Sequence, residues 1–206
     1  MSSKTRRERD AEIMKTKILA AAREIAQKEG YSQISIRKIA QKIEYTPSIM
    51  YHYFANKEEI VSKLLEQGSS ELNKDLADKH QGSQDPVEAL KQMTRRYIEI
   101  ALAKPEEFVA VHLDDSEHVT EHTSFLFKGS CEKRLALNIL KQTIIEFSGK
   151  KFTDEDELEL TAQSIAAATM GLALKLIAEK QLEAAQRQRV IDYFCNVVVL
   201  RMAKAL

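Results

Sequence analysis

Apolar residues recur at spacings of three and four along most of the chain, and no stretch alternates apolar and polar positions at the period of two that a strand requires. The pattern predicts an all-α protein. A first helix over about 10–28 carries the stripe Ile18, Ala22, Ile25, Ala26 and stops at Gly30. Ser35 then precedes Ile36, Ile39, Ala40 and Ile43, so its hydroxyl can cap a short second helix. Glu44 and Tyr45 leave only a tight connection. Thr46-Pro47 follows, pairing a capping hydroxyl with a proline whose missing N–H is no loss at the first helical position. A helix of about two turns is expected there. Asn56-Lys57-Glu58-Glu59 places a cap three residues before a glutamate and opens a longer helix along Ile60, Leu64, Leu65, Leu72 and Leu76. Two short helices joined by a turn of a few residues make a helix-turn-helix, whose second helix enters the DNA major groove.

The remaining pattern is helical as well. Residues 80–84 read as a loop, Asp85-Pro86-Val87-Glu88 starts a helix bearing Leu90, Met93, Tyr97 and Ile100, and Lys104-Pro105 starts another with Phe108, Val109 and Val111. The polar segment 114–124 has no clear period. One helix is expected from Phe125 to Phe147, stopped by Ser148-Gly149. Thr153 is expected to cap a helix to about Lys180 whose residues Leu158, Ala162, Ile165, Thr169, Leu172 and Leu176 step by four and three, the seam of a nearly parallel helix pair. The final helix, about 183–205, has apolar residues on more than one side, including Val190, Phe194, Val197 and Val198. One side can face the body and another a second subunit, so this seam and these four residues are the expected homodimer interface.

Composition fits a soluble globular chain: 206 residues, 44% apolar and 30% charged. No uninterrupted apolar run approaches the ~18 residues of a membrane span, and the N-terminus lacks the apolar core of a signal peptide, so no membrane partner is expected. Cys131 and Cys195 lack metal-ligand spacing and read as reduced core thiols of a cytoplasmic protein. Net charge is zero, yet residues 1–42 hold 11 Lys and Arg against 5 Asp and Glu. A basic head on an acidic body suits DNA contact at one end. The division expected is a helix-turn-helix head at 1–55, with 1–9 a flexible basic arm (Lys4, Arg6, Arg7, Arg9), and an effector-binding and dimerising body at 56–206.

Residues 13–60 resemble the TetR family of bacterial transcription regulators. The family pattern I-A-x-x-A-G-V-S-x-G-x-L-Y-x-H-F-x-x-K is met by Ile39-Ala40, Thr46, Tyr51, Phe54 and Lys57, preceded by the basic first helix, Gly30 and Ser35. Departures are Ile43-Glu44-Tyr45 for Ala-Gly-Val, Ser48 for the second glycine, Met50 for leucine and Tyr53 for histidine. The resemblance implies a nine-helix fold, a double-stranded DNA operator as partner, and no enzymatic activity or cofactor. It implies that Ser35 and Thr46 offer hydroxyls and helix-end N–H groups to phosphate. Pro47, Ser48 and Ile49 would lie near base edges, Ser48 bonding either base type and Ile49 touching a thymine methyl. Tyr51, His52, Lys57 and Arg37 would hold the backbone, with a core aromatic as the other reading of Tyr51 and a solvated surface side chain that of His52. Ile39, Ala40, Met50 and Phe54 read as core. Glu44 either points near DNA or faces solvent.

The implied mechanism is a homodimeric repressor released from a pseudo-palindromic operator by a small hydrophobic effector. Met93, Tyr97, Phe108, His112, Phe125, Phe127 and Met170 are the candidate pocket, and ordinary core is their other reading. Two rivals remain. His118-x-x-Glu121-His122 matches an inverted zinc-peptidase pattern, which would make the 112–122 cluster a metal site in a metal-responsive or metal-binding protein. A chain that keeps the fold for protein interaction without specific DNA binding is the second, and the basic arm, Thr46 and Lys57 speak against it.

Overall fold

The computed structural model describes residues 6–80, 85–149 and 154–204, with the side chains of 69 and 71–80 excepted. Among the described residues every regular element is helical. The order is α1 (Arg6–Glu29), a 3-10 turn (Tyr31–Gln33), α2 (Ile36–Lys42), α3 (Pro47–Met50), α4 (Lys57–His80), α5 (Pro86–Ala103), α6 (Pro105–His112), α7 (Glu117–Thr123), α8 (Ser130–Lys133), α9 (Leu135–Ser148), α10 (Glu155–Ala178) and α11 (Ala184–Tyr193). A π-helical stretch, Phe194–Val199, follows α11 directly and leads into α12 (Leu200–Lys204). The nine expected helices are all recognisable, with α7 in addition, the one expected over 125–147 reduced to α9 behind the one-turn α8, and the last divided by the π segment.

Two compact units emerge: Met1–Ser69 with Glu106–Thr123, and Ser70–Pro105 with Ser124–Leu206. The first is larger than a head ending at residue 55. Its core joins Ile18, Ala22 and Ile25 of α1 to Ile39 of α2, Met50 of α3 and Phe54, but also to Ile60, Val61, Leu64 and Leu65 of α4 and Val119 of α7. Helices as short as α2 and α3 are not stable alone and depend on tertiary packing. The first turns of α4 and the α6–α7 pair supply part of that cover. Gln27 donates to Glu107 at 3.3 Å, and the Ser32 backbone N–H donates to Asp114 at 3.1 Å. Burial pushes the Asp114 carboxyl up, but bonds from Ser116, Ser32 and Tyr31 outweigh it and hold the group below its ordinary value.

In the second unit α10 packs against α5 and α9. Leu90, Met93, Leu137, Leu140, Ile144, Leu158, Ala162, Ile165 and Val199 form its main core, and Ile98, Leu176, Ile191 and Cys195 a smaller one. By length and composition α10 could cross a membrane. Its Leu158, Ala162, Ile165 and Leu176 are buried within the unit, while Leu160 is exposed. Both cysteines are free and buried, their thiols pushed up to about 11 by burial, which makes them poor nucleophiles.

Several boundaries differ from those read in the sequence. Arg6, Arg7 and Arg9 belong to α1 rather than to an arm, while Lys4 lies outside the described residues, as do the loop 81–84, Thr153 and Ala205. The side chains of Leu72 and Leu76 also lie outside the description. Asp154 caps α10, accepting from the backbone N–H groups of Asp156 and Glu157. The single helix expected over 125–147 is broken, since α8 ends at an extended Arg134. Its short N-terminus is held by a buried carboxylate: Glu159 of α10 accepts from the Gly129 and Cys131 N–H groups, each at 2.9 Å, and from the Ser130 hydroxyl. The polar segment 114–124 contains a helix, α7, because Val119 anchors one of its faces in the first unit's core.

Candidate nucleic-acid interface

Ser35 caps α2 in the expected way, with extended backbone and its hydroxyl accepting from Lys38 N–H at 3.2 Å. The far end of α2 carries more information. Glu44 adopts φ 63°, the only positive value among described non-glycine residues. Its N–H donates to Gln41 O at 3.3 Å, and the next N–H, of Tyr45, donates to Ala40 O at 2.9 Å. These are the paired bonds of a Schellman cap, with glutamate where glycine is usual. The Glu44 side chain is exposed. Lys17 of α1 supports the turn from outside, its ammonium 3.4 Å from the Ile43 carbonyl and 5.0 Å from the centre of the Tyr45 ring.

Past this turn, α3 is shorter than the two turns expected. It is one α-helical turn, after which His52, Tyr53 and Phe54 all donate to carbonyls of Ile49 and Met50. The first two of these, from each residue to the third before it, are tighter than α-helical bonds, and the chain then reaches the next cap, where Asn56 accepts from Glu59 N–H at 2.8 Å and the Glu59 carboxylate accepts from Ala55 N–H at 2.6 Å. Thr46 has extended backbone but makes no capping bond through its side chain.

One edge of this segment is buried and the other open. Ile39, Ala40, Met50 and Phe54 are core. Ile49 is half-buried and packs on that core, so it has less free surface for a base than its sequence position suggests. Thr46, Pro47, Ser48, His52 and Arg37 are exposed, and Lys57 half-buried. Tyr51 is 59% exposed, which rules out the core-aromatic reading. Of the expected contact residues, Arg37, Thr46, Pro47, Ser48, Tyr51 and His52 are thus exposed, and Ser35, Ile49 and Lys57 half-buried.

The other candidates are less gathered. Phe108 and His112 lie in the first unit, whereas Met93, Tyr97, Phe125, Phe127 and Met170 lie in the second. His112 stacks on Phe108 with ring centres 4.0 Å apart, its Nδ1–H donating to the Phe108 carbonyl at 2.9 Å. Burial lowers its proton affinity, against the opposing effect of the bond to the Phe108 carbonyl. Met93 is core, and burial raises the Tyr97 phenol. For the dimer seam the structure brings a correction. Leu158, Ala162, Ile165, Thr169 and Leu176 are buried within the chain, because α5 and α9 occupy the side of α10 on which they lie. Leu172, Val190, Phe194, Val197 and Val198 are half-buried, and the large exposed apolar side chains of this region are Leu160 and Tyr193, each 61% exposed. Helical periodicity located the apolar stripe, but not which neighbour covers it.

His118, Glu121 and His122 do not form a three-ligand set, and no cluster of three His, Cys, Asp or Glu suited to a metal exists among the described residues. The two histidines instead converge on Ser62 of α4. His118 Nε2 is 2.7 Å from the Ser62 hydroxyl and 2.9 Å from the Glu58 carbonyl, and His122 Nε2 is 3.4 Å from the same hydroxyl. Sequence reading paired these histidines with Glu121 and missed Ser62, 56 residues away from His118.

A capped short helix, a tight left-handed turn and a proline-started helix with one open edge define a helix-turn-helix DNA-binding head. Residues 18–64 match the sequence profile of the bacterial regulatory proteins of the tetR family. No curated protein matches the chain by sequence. Solved structures with the same fold include the transcriptional regulator FadR from Bacillus subtilis in complex with stearoyl-CoA, 17% identical with TM-score 0.67, covering 92% of this chain and 97% of that one. The fatty acid degradation regulator FadR from Bacillus halodurans is 16% identical with TM-score 0.68, covering 96% and 98%. A TetR-family regulator from Syntrophomonas wolfei is 18% identical with TM-score 0.70, covering 92% and 96%. Residues 18–64 thus have the sequence of a tetR-family helix-turn-helix head, and the chain as a whole has the same all-α fold as those solved regulators.

Proposed function

We propose that the chain is a homodimeric, ligand-responsive regulator that represses transcription from a pseudo-palindromic operator and leaves it when a small hydrophobic effector binds. The observation that carries the DNA-binding part is the open edge of α3, with Thr46, Pro47, Ser48, Tyr51 and His52 exposed above a core made by Ile39, Met50 and Phe54. Arg37, Ser35 and Lys57 flank that edge and would hold phosphates, which fix register without reading sequence. Two heads in a dimer would reach half-sites one helical turn of DNA apart, or a small multiple.

Exposed Leu160 and Tyr193, with half-buried Val190, Phe194, Val197 and Val198, support self-association through the outer sides of α10 and the last helix. The effector would act through α4, which starts at the HTH cap, by binding one state of that helix better than the other. FadR from Bacillus subtilis was solved with stearoyl-CoA. That makes long-chain acyl-CoA thioesters the first effectors to test, in keeping with the apolar candidate residues Met93, Tyr97, Phe125, Phe127 and Met170.

The test is binding of the full chain to DNA upstream of its own gene, at two salt concentrations, with and without acyl-CoA. Saturable, sequence-selective, salt-sensitive binding that weakens with acyl-CoA supports the reading. Sequence-blind binding sinks the operator role, and tight acyl-CoA binding with unchanged DNA affinity sinks that effector's role.

A further inference from the structure

The Ser62, His118 and His122 cluster includes none of the residues assigned to the edge of α3. His118 and His122 are four residues apart on α7, so both rings leave the same face of the helix. Their Nε2 atoms meet at one point, the Ser62 hydroxyl, at 2.7 and 3.4 Å. The rings stand edge to face with centres 5.4 Å apart. A carbonyl oxygen only accepts, so His118 must carry its proton on Nε2 to bond Glu58 O. The Ser62 hydroxyl can then accept from His118 and donate to His122. Behind His118, on the opposite ring nitrogen, Glu121 Oε2 lies 3.9 Å from Nδ1.

We propose that His118 and His122 chelate one divalent transition-metal ion of the zinc, nickel or copper class through their Nε2 atoms. Imidazole nitrogen suits these ions, and affinity should rise from nickel to copper and fall again at zinc. Metal–nitrogen bonds of about 2.0–2.1 Å put the ion between the two Nε2 atoms, nearer to each than the Ser62 hydroxyl is, so that hydroxyl turns away and water completes the coordination. Coordination through Nε2 leaves the His118 N–H on Nδ1, the side on which the Glu121 carboxylate lies 3.9 Å away. A carboxylate behind a metal-bound histidine fixes the ring and strengthens the ligand.

Binding has a structural consequence. In the metal-free arrangement His118 ties α7 to α4 through the Glu58 carbonyl and Ser62. Coordination uses the same nitrogen, so both ties are lost. Glu58 lies in the first turn of α4, immediately after Lys57 and the Asn56 cap. Metal occupancy is therefore expected to change DNA affinity, a consequence that rests on the DNA-binding function, whereas the site itself does not.

Full-length protein, stripped with chelator, is dialysed against Zn2+ and against Cu2+. One ion per chain is expected in the wild type, with a copper spectrum showing coupling to two imidazole nitrogens. His122→Ala, which removes the longer contact to Ser62 and the edge contact with the His118 ring, should lose the ion and one nitrogen coupling while keeping its circular dichroism and melting temperature. Ser62→Ala keeps both imidazoles and removes the competing hydroxyl, so it should bind more tightly. Equal uptake by His122→Ala, or loss of uptake in folded Ser62→Ala, overturns the site. DNA binding is then measured with and without Zn2+ in wild type and His122→Ala. A zinc effect confined to the wild type supports the coupling, and wild type that takes up one ion with unchanged DNA affinity overturns the coupling alone.

Discussion

The Tyr45 N–H reaches back across Glu44 to the Ala40 carbonyl at 2.9 Å, and that bond requires Glu44 to hold φ at 63°. A residue with a Cβ spends about 1–2 kcal/mol in this region, and glycine avoids that strain at some cost in chain entropy. Glu44→Gly is therefore expected to stabilise the head by roughly 1 kcal/mol, which for a chain of this length raises Tm by about 2–4 °C. Thermal denaturation followed by circular dichroism measures it. A lowered Tm would show that the glutamate side chain contributes more than its backbone strain removes.

Lys57 and Met50 separate contact from support. Lys57→Ala should weaken binding to all DNA sequences alike and reduce the salt slope by about 1, the signature of one lost phosphate contact. Titrations at a series of salt concentrations give that slope, and an unchanged slope removes Lys57 from the interface.

Tyr51 and Met50 adjoin in sequence but face opposite ways, one open and one fully buried. Tyr51→Ala should reduce DNA affinity with Tm unchanged within about 1 °C, since substitutions away from the core rarely exceed about 0.5 kcal/mol. Met50→Ala should instead destabilise by about 2–5 kcal/mol and lose DNA binding only as the head unfolds. Comparing melting curves with binding isotherms distinguishes the two.

Glu159 offers a pH test in the second unit. Bonds from the Cys131 and Gly129 N–H groups hold its carboxyl below 4.5, its ordinary value, against the opposing effect of burial. A carboxylate lowered in the folded state adds stability that is complete above the unfolded value and declines as pH falls through the folded one. Wild-type stability should therefore drop below about pH 4.5 more steeply than that of Glu159→Ala. Near neutral pH the alanine variant should be less stable by roughly 2–3 kcal/mol, because buried N–H donors lose their acceptor. Urea melts across pH report both effects, and parallel pH profiles would contradict the assignment.

Helix type, and which residues around α3 are open and which are core, could largely be read from the chain because both rest on local chemistry. Caps at Ser35, Asn56 and Asp85, and the prolines at 47, 86 and 105, act within a few residues of themselves. What the sequence concealed depends on distant partners. Nothing near Leu158 or Ile165 says that α5 and α9 cover them instead of a second subunit. Likewise Ser62 meets His118 only through the fold, and Glu159 reaches back some 30 residues to hold α8. The turn at Glu44 lay between these cases: the missing glycine was visible, while the bonds that justify a left-handed residue there were not.

The π-helical stretch Phe194–Val199 has a consequence for how the last helix can be used. Each wider turn advances the wheel by less than the usual 100° per residue, so the residues after it are out of phase with those before it. Ile191, Cys195, Val199 and Ala203 stay turned inward at steps of four all the way through, a spacing that would drift around a regular α-helix. The wider turns hold that buried line straight against the unit's core. Removing one residue from this stretch would swing everything beyond it by about a quarter of a circle, sending Ala203 outward. For that reason the end of the chain is expected to tolerate substitution far better than a change in length.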